Sequence, residues 1–210
     1  MEPLDPAEVR VLGALIEKEA TTPEYYPLSM NALVNACNQK SNRDPVVDYD
    51  EDTVSDAILT LRDKKLAVMV TGSGRVNKYA QRISETLNLG RRELAVLCTL
   101  LLRGPQTLGE IKDRSDRMYH FTDLSETERV LEKLADWNGV ALTRLMSKQP
   151  GQKEARYAHL LSGEPAQSAG DQSSAMKPSK LSELEIELSD LRSELQELKR
   201  RFDAFQAQFQ

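Results

Sequence analysis

Two histidines, two cysteines and one run of carboxylates are the residues of this chain that could carry bond-making chemistry, and their spacing argues against it. His120 and His159 are isolated, with no metal-ligand spacing around them. A zinc centre needs three or four Cys, His or carboxylate ligands, usually at short, repeated intervals. Cys37 and Cys98 lie in the apolar runs LVNACN and AVLCTLL. They read as reduced core thiols of a cytoplasmic protein rather than as a disulfide or a metal pair. Asp48, Asp50, Glu51 and Asp52 could hold a cation, but acid at a helix start has a simpler use in offsetting the positive end of the helix dipole. There is no glycine-rich phosphate loop, no nucleophile elbow and no carboxylate pair in an apolar setting. The chain is expected not to be an enzyme, and no cofactor or metal is expected.

Other groups could act by contact. Lys40, Asn42 and Arg43 fall in a polar, basic loop. Arg75, Lys78 and Arg82 surround one hairpin, and Arg144, Lys148, Lys153 and Arg156 surround another. Lys112, Arg114, Arg117, Tyr119 and His120 form a further patch. Such side chains can touch a phosphate backbone without reading bases. Lys40, Asn42, Arg43, Arg75, Lys78, Arg114, Arg117, Lys153 and Arg156 are the candidate contacts for nucleic acid or a protein partner.

The elements that must position them occur twice. EVRVLGALI from Glu8 and ELAVLCTLL from Glu93 are matching first helices. PLSMNAL from Pro27 and PQTLGEI from Pro105 introduce second helices, and stretches from Val54 and Glu126 supply third ones. Each copy closes on a hairpin, with Lys78-Tyr79-Ala80 and Arg156-Tyr157-Ala158 on the return strands. The offset between copies runs from 85 at the first helix to 73 at the third and 78 at the hairpin, so the elements repeat and the loops do not. Helix, helix, helix, hairpin is the order of a winged helix-turn-helix domain. Tyr79, Tyr157 and Trp137 read as packing residues.

Local signals set the boundaries. Asp5 with Glu8, Thr107 with Glu110 and Asp123 with Glu126 are candidate capping boxes, and Ser29 is a candidate cap for the second helix. Gly104-Pro105 stops the first helix of the second copy. The expected fold is mainly α with small β-hairpins: winged-helix domains at 1–86 and 87–161, a flexible linker at 162–179 and a coiled-coil helix at 180–210. Each domain is near the lower size limit for a self-sufficient core, so the two are expected to pack on each other.

The third helices carry a charge problem. In a winged helix this element enters the major groove, led by its N-terminal residues. Here that end holds Asp50, Glu51, Asp52 and Asp56, with no basic residue before Arg62, and the second copy offers Asp123, Glu126 and Glu128 before Arg129. Carboxylates facing phosphates are repelled, so base reading by either helix is not expected. The chain as a whole carries a formal charge of −5 and no polybasic tract. The polar start MEPLDPAEVR and the short apolar runs lead to the expectation of no signal peptide, no membrane span and a cytoplasmic location.

Leu181, Leu184, Leu188, Leu191, Leu195, Leu198 and Phe202, continued by Phe205 and Phe209, are spaced alternately three and four apart. That is a coiled-coil seam. In a parallel pair, Lys180 would face Glu185, Glu187 would face Arg192 and Glu194 would face Lys199, all attractive. A homodimer is the expectation.

The stretch TTPEYYPLSMNALVNACNQKSNRDPV, residues 21–46, together with EVRVLGALIEKE, closely resembles the YceH-like family of bacterial proteins of unassigned function. The resemblance covers residues 4–161 and implies a tandem winged-helix fold; it implies no activity, cofactor or binding residue. Two roles remain for the distinctive segment: Tyr25, Tyr26 and Pro27 pack into the domain interface, or Asn38–Arg43 form a partner site. Two functions follow. One is a protein-interaction adaptor, with the chromosome as one candidate setting, similar to the tandem winged-helix subunits of bacterial chromosome-condensation complexes. The other is a DNA-binding regulator that contacts backbone through its wings and the Lys40–Arg43 loop.

Overall fold

Asp5 starts the first helix as its sequence suggests. Its carboxylate accepts the Glu8 amide at 2.8 Å while the Glu8 carboxylate accepts the Asp5 amide at 2.7 Å. The computed structural model describes residues 2–71, 76–148 and 152–164. Helix α1 runs Pro6–Thr21, and a 3-10 turn at Pro23–Tyr25 leads to the short strand β1, Leu28–Ser29. Helices α2 (Met30–Cys37) and α3 (Glu51–Asp63) follow, then strands β2 (Ala67–Val70) and β3 (Lys78–Gln81). After the short helix α4 (Ile83–Leu87) come α5 (Arg91–Arg103), α6 (Leu108–Ser115) and α7 (Leu124–Ala135), then strands β4 (Thr143–Leu145) and β5 (Tyr157–His159). The described part of the chain is mainly helical with small antiparallel sheets. Leu181, Leu184, Leu188, Leu191, Leu195, Leu198 and Phe202, the expected seam, lie outside the described residues, as does Arg75.

The repeat is carried into hydrogen bonding. Helices α2 and α6 have the same length at a constant offset, and Ser29 and Thr107 cap them from equivalent positions. β3 pairs with β2 on one side and β1 on the other, Leu28 opposite Tyr79. The second copy keeps that third-strand contact as a single bridge between Gln106 and Tyr157, at the matching positions. The first sheet's third strand is absent from the sequence reading because two residues show no alternation, and Ser29 spends its side chain on the helix cap. Helix α4 is likewise too short for periodicity to reveal.

The expected capping box at Thr107 and Glu110 is present. The one at Asp123 is only half formed. Asp123 accepts the Glu126 amide at 2.7 Å, but the Glu126 carboxylate turns to Thr122, bonding its amide and hydroxyl at 2.9 Å each. It also meets Arg92 at 3.4 Å.

Helices α1 and α5 pack together, and equivalent positions meet. Cys98, at the repeat position of Gly13, donates its thiol to the Gly13 carbonyl at 3.3 Å. The glycine is required there: a Cβ at position 13 would stand 2.8 Å from Leu102 Cδ2 and 3.2 Å from Leu101 Cβ. The buried side chains of both repeats, from Leu12, Leu15 and Ile58 to Leu97, Leu100 and Leu131, form one continuous cluster. The chain ends of the two repeats are tied as well, the Leu4 amide donating to the Leu161 carbonyl at 2.8 Å.

Candidate functional site

The first repeat differs from the second most in one loop. Thirteen residues, 38–50, join α2 to α3, whereas eight, 116–123, join α6 to α7. The longer loop is pinned at its base by Asn38, whose side chain donates to the Tyr49 carbonyl at 2.7 Å and accepts the Tyr49 amide at 2.9 Å. Its middle reaches the other repeat. The Asp44 amide donates to the Leu102 carbonyl at 2.9 Å, and Arg103 Nη2 donates to Asn42 Oδ1 at 2.5 Å. Asn42 adopts a left-handed φ of 60°, a conformation that Asn tolerates better than most residues.

Arg43 is corrected by this arrangement. It was expected as an exposed contact, but its side chain is fully buried. Its guanidinium donates to both Glu17 oxygens, at 3.2 and 2.7 Å, and to the Ala36 carbonyl at 2.8 Å. Arg10 supports the same loop, donating to the Cys37 and Pro45 carbonyls at 3.2 and 2.5 Å. The distinctive segment therefore has a structural role. Within it, Tyr26 packs against the core and its hydroxyl accepts the Gln81 amide at 2.5 Å, but Tyr25 is 73% exposed and does not pack into an interface.

Where the loop crosses to α5 a polar cleft opens. Asn42, Arg103, Arg114 and Arg117 line it, with Thr21 at the end of α1. Asn42 and the Arg114–Arg117 patch, far apart in sequence, are thus brought together by Arg103, which closes the last turn of α5. Glu17 is engaged by Arg43, and Glu110 is shared between Arg114 at 3.3 Å and Arg156 at 2.9 Å. Among the described residues no carboxylate pairs with Arg103 or Arg117. Burial, and then the neighbouring Arg114 and Arg43 charges, press the Arg103 pKa below its ordinary value.

The remaining candidates do not line this cleft. Arg156 is held by Glu110 and by the Pro105 carbonyl at 2.9 Å, so its charge is largely spent inside the fold. Lys40, Lys78 and Lys153 are exposed. On α3 the exposed residues are Glu51, Asp52, Asp56, Leu59, Thr60 and Asp63, with no cation among them.

Burial keeps both thiols and His159 in their neutral forms. Burial pushes the Cys37 thiol up to about 12 and raises Cys98 as well. His120 is exposed and sits 2.5 Å from Asp116, both in the loop that follows α6. His159 is mostly buried, its Nδ1 finds no partner among the described residues, and burial lowers its pKa to about 4. That shift has a consequence for stability. The folded pKa lies below the unfolded value, so stability is full above about pH 6.5 and falls as the pH drops toward 4. A loss of about 3 kcal/mol across that window is expected, before carboxylates with lowered pKa, such as Glu110, contribute at lower pH. Thermal unfolding followed from pH 7.5 to 4.5 should show a steeper decline for the parent chain than for His159→Gln; equal slopes would contradict the assignment.

The chain matches the family described as "Protein of unknown function, DUF480" over residues 4–152. It is 49% identical over 207 residues to the "UPF0502 protein" of Solibacter usitatus, covering 99% of this chain and 98% of that protein. It is 50% identical to the "UPF0502 protein" of Pelobacter propionicus, again with 99% and 98% covered. To the "UPF0502 protein" of Citrifermentans bemidjiense it is 56% identical, over 77% of this chain and 75% of that one.

Proposed function

This chain belongs to the DUF480 family, and we propose that it works as a non-enzymatic, dimeric, tandem winged-helix protein-interaction adaptor. The observation that carries the reading is the outer face of α3. In a winged helix this face would meet DNA, and here its exposed residues are four carboxylates, one threonine and Leu59, which is 49% exposed. Such a surface repels a phosphate backbone and retains an apolar contact for a protein. The winged-helix reading is supported by the repeated element order and by the matched pairings of Leu28 with Tyr79 and Gln106 with Tyr157.

One observation favours a second reading, a regulator that grips DNA backbone. Lys78 and Lys153 are exposed on or beside the two hairpins and make no ion pair among the described residues. The test is a titration of the full chain with duplex DNA at roughly 50 and 200 mM salt. The adaptor reading expects no salt-dependent complex. The regulator reading expects one whose salt slope falls by about 0.9 for each phosphate contact removed, as in Lys78→Ala, alike on all sequences.

Dimerisation is proposed through the 180–209 seam. Light scattering of the intact chain at micromolar concentration should give twice the mass of 23.6 kDa. Leu188→Ala with Leu195→Ala should shift it toward monomer, and a monomeric parent chain would overturn the proposal.

A further inference from the structure

The polar cleft is one end of a longer groove along the seam of α1 and α5. Met118 lines both ends. At one end stand Arg103, Arg114 and Arg117 with Asn42. The other end is a recess of about 490 Å³ floored by Ile16, Leu94 and Ala95, with Glu19 and Arg91 at its edge. The groove therefore offers two cations with no carboxylate partner among the described residues, Arg103 and Arg117, and a third, Arg114, shared with Glu110, beside an apolar recess, in a chain whose net charge is −5.

We propose that this groove is the docking site for an acidic peptide segment of a protein partner, with a Glu or Asp carboxylate held by Arg103, Arg114 and Arg117 and a nearby Leu- or Phe-like side chain in the Ile16–Leu94–Ala95 recess. The proposal rests on the adaptor reading and gives that adaptor a surface and a partner chemistry. Guanidinium groups bind carboxylates through paired, charge-assisted hydrogen bonds. Arg103 is preset for this, held in place by Asn42 while no carboxylate among the described residues pairs with it. Met118 joins the two ends with an unbranched, polarizable side chain that adapts to different apolar partners. A bare phosphate backbone would use the cationic end and leave the apolar recess empty, and a protein segment uses both.

The test measures fluorescence anisotropy of the full chain with labelled ten-residue peptides. Each carries a Glu-Glu pair and a Leu or Phe two to five residues beyond it, and inorganic phosphate is run alongside. At least one peptide should bind at about 100 µM or tighter. Replacing its Leu or Phe by Ser, or its Glu pair by Gln, should weaken it. The double change Arg103→Gln and Arg114→Gln should lower affinity about tenfold or more. Arg117→Glu, at an exposed position, should abolish binding and restore it to the matching peptide with Lys in place of Glu. The proposal is overturned if no peptide binds, if binding ignores Arg117→Glu, or if inorganic phosphate binds at these arginines and no peptide does. Overturned without DNA binding, it leaves the adaptor reading standing with its partner surface elsewhere. Tight binding of one duplex operator by the same full chain would overturn the adaptor reading itself.

Discussion

Replacing Arg43 by Ala is expected to destabilise the protein by about 3–5 kcal/mol. The whole stability of a domain of this kind is of the order of 5–15 kcal/mol, so much of it would go with one side chain. The loss comes from what remains behind. Glu17 would stay buried on α1 with its charge and without the two hydrogen bonds that now satisfy it. The Ala36 carbonyl would lose its donor, and the loop that bonds to Leu102 and Arg103 would lose its anchor. The pair itself is not expected to be a large net gain, because both charges were taken out of water to form it. Changing both residues together, Arg43→Met with Glu17→Leu, should therefore recover most of the loss. Urea unfolding of the three variants separates the terms. A single change that costs less than about 1 kcal/mol would mean that the pair is solvated and that the loop is not locked by it.

Gly13→Leu is expected to cost about 3 kcal/mol by overpacking, near the upper end of the usual range. The space beyond Gly13 is filled by the Leu102 side chain and by Leu101 Cβ, both buried. The new side chain must either displace them or push α5 away from α1, and the second course also breaks the Cys98–Gly13 hydrogen bond. Gly109 in α6 is the control. A Cβ there would meet nothing within 4 Å, so Gly109→Ala should stabilise by about 0.5–1 kcal/mol through helix propensity. Urea midpoints moving in opposite directions would bear this out; equal shifts would show that the α1–α5 contact is looser than the distances state.

Much of this fold is legible in the sequence because its signals are local. The caps at Asp5, Ser29 and Thr107, the stop at Gly104 and the repeated return strands each involve residues close in the chain. What was not legible is non-local. Arg43 looks like a surface cation, because its partner Glu17 lies 26 residues earlier on another element, in a helical run where it reads as a polar-face residue. In the sequence Asn42 and Arg117 belong to separate patches, and only the packing of α5 against the longer loop brings Arg103 between them. The sequence signal for it is the loop length, five residues more in the first repeat than in the second. Glu126 illustrates the limit of a motif: the spacing from Asp123 is right, but Thr122 and Arg92 compete for its carboxylate and win.

The central claim, that the third helices are not nucleic-acid readers, is tested most directly by an amide chemical-shift map of the full chain with excess duplex DNA at low salt. The exposed carboxylates of α3 should keep phosphates away, so the amides of Thr53, Ser55 and Asp56, and those at the start of α7, are expected to stay where they are. Shifts at Thr53 and Ser55 that saturate with one duplex sequence, and vanish on changing those residues, would contradict the account and make α3 a recognition helix despite its charge.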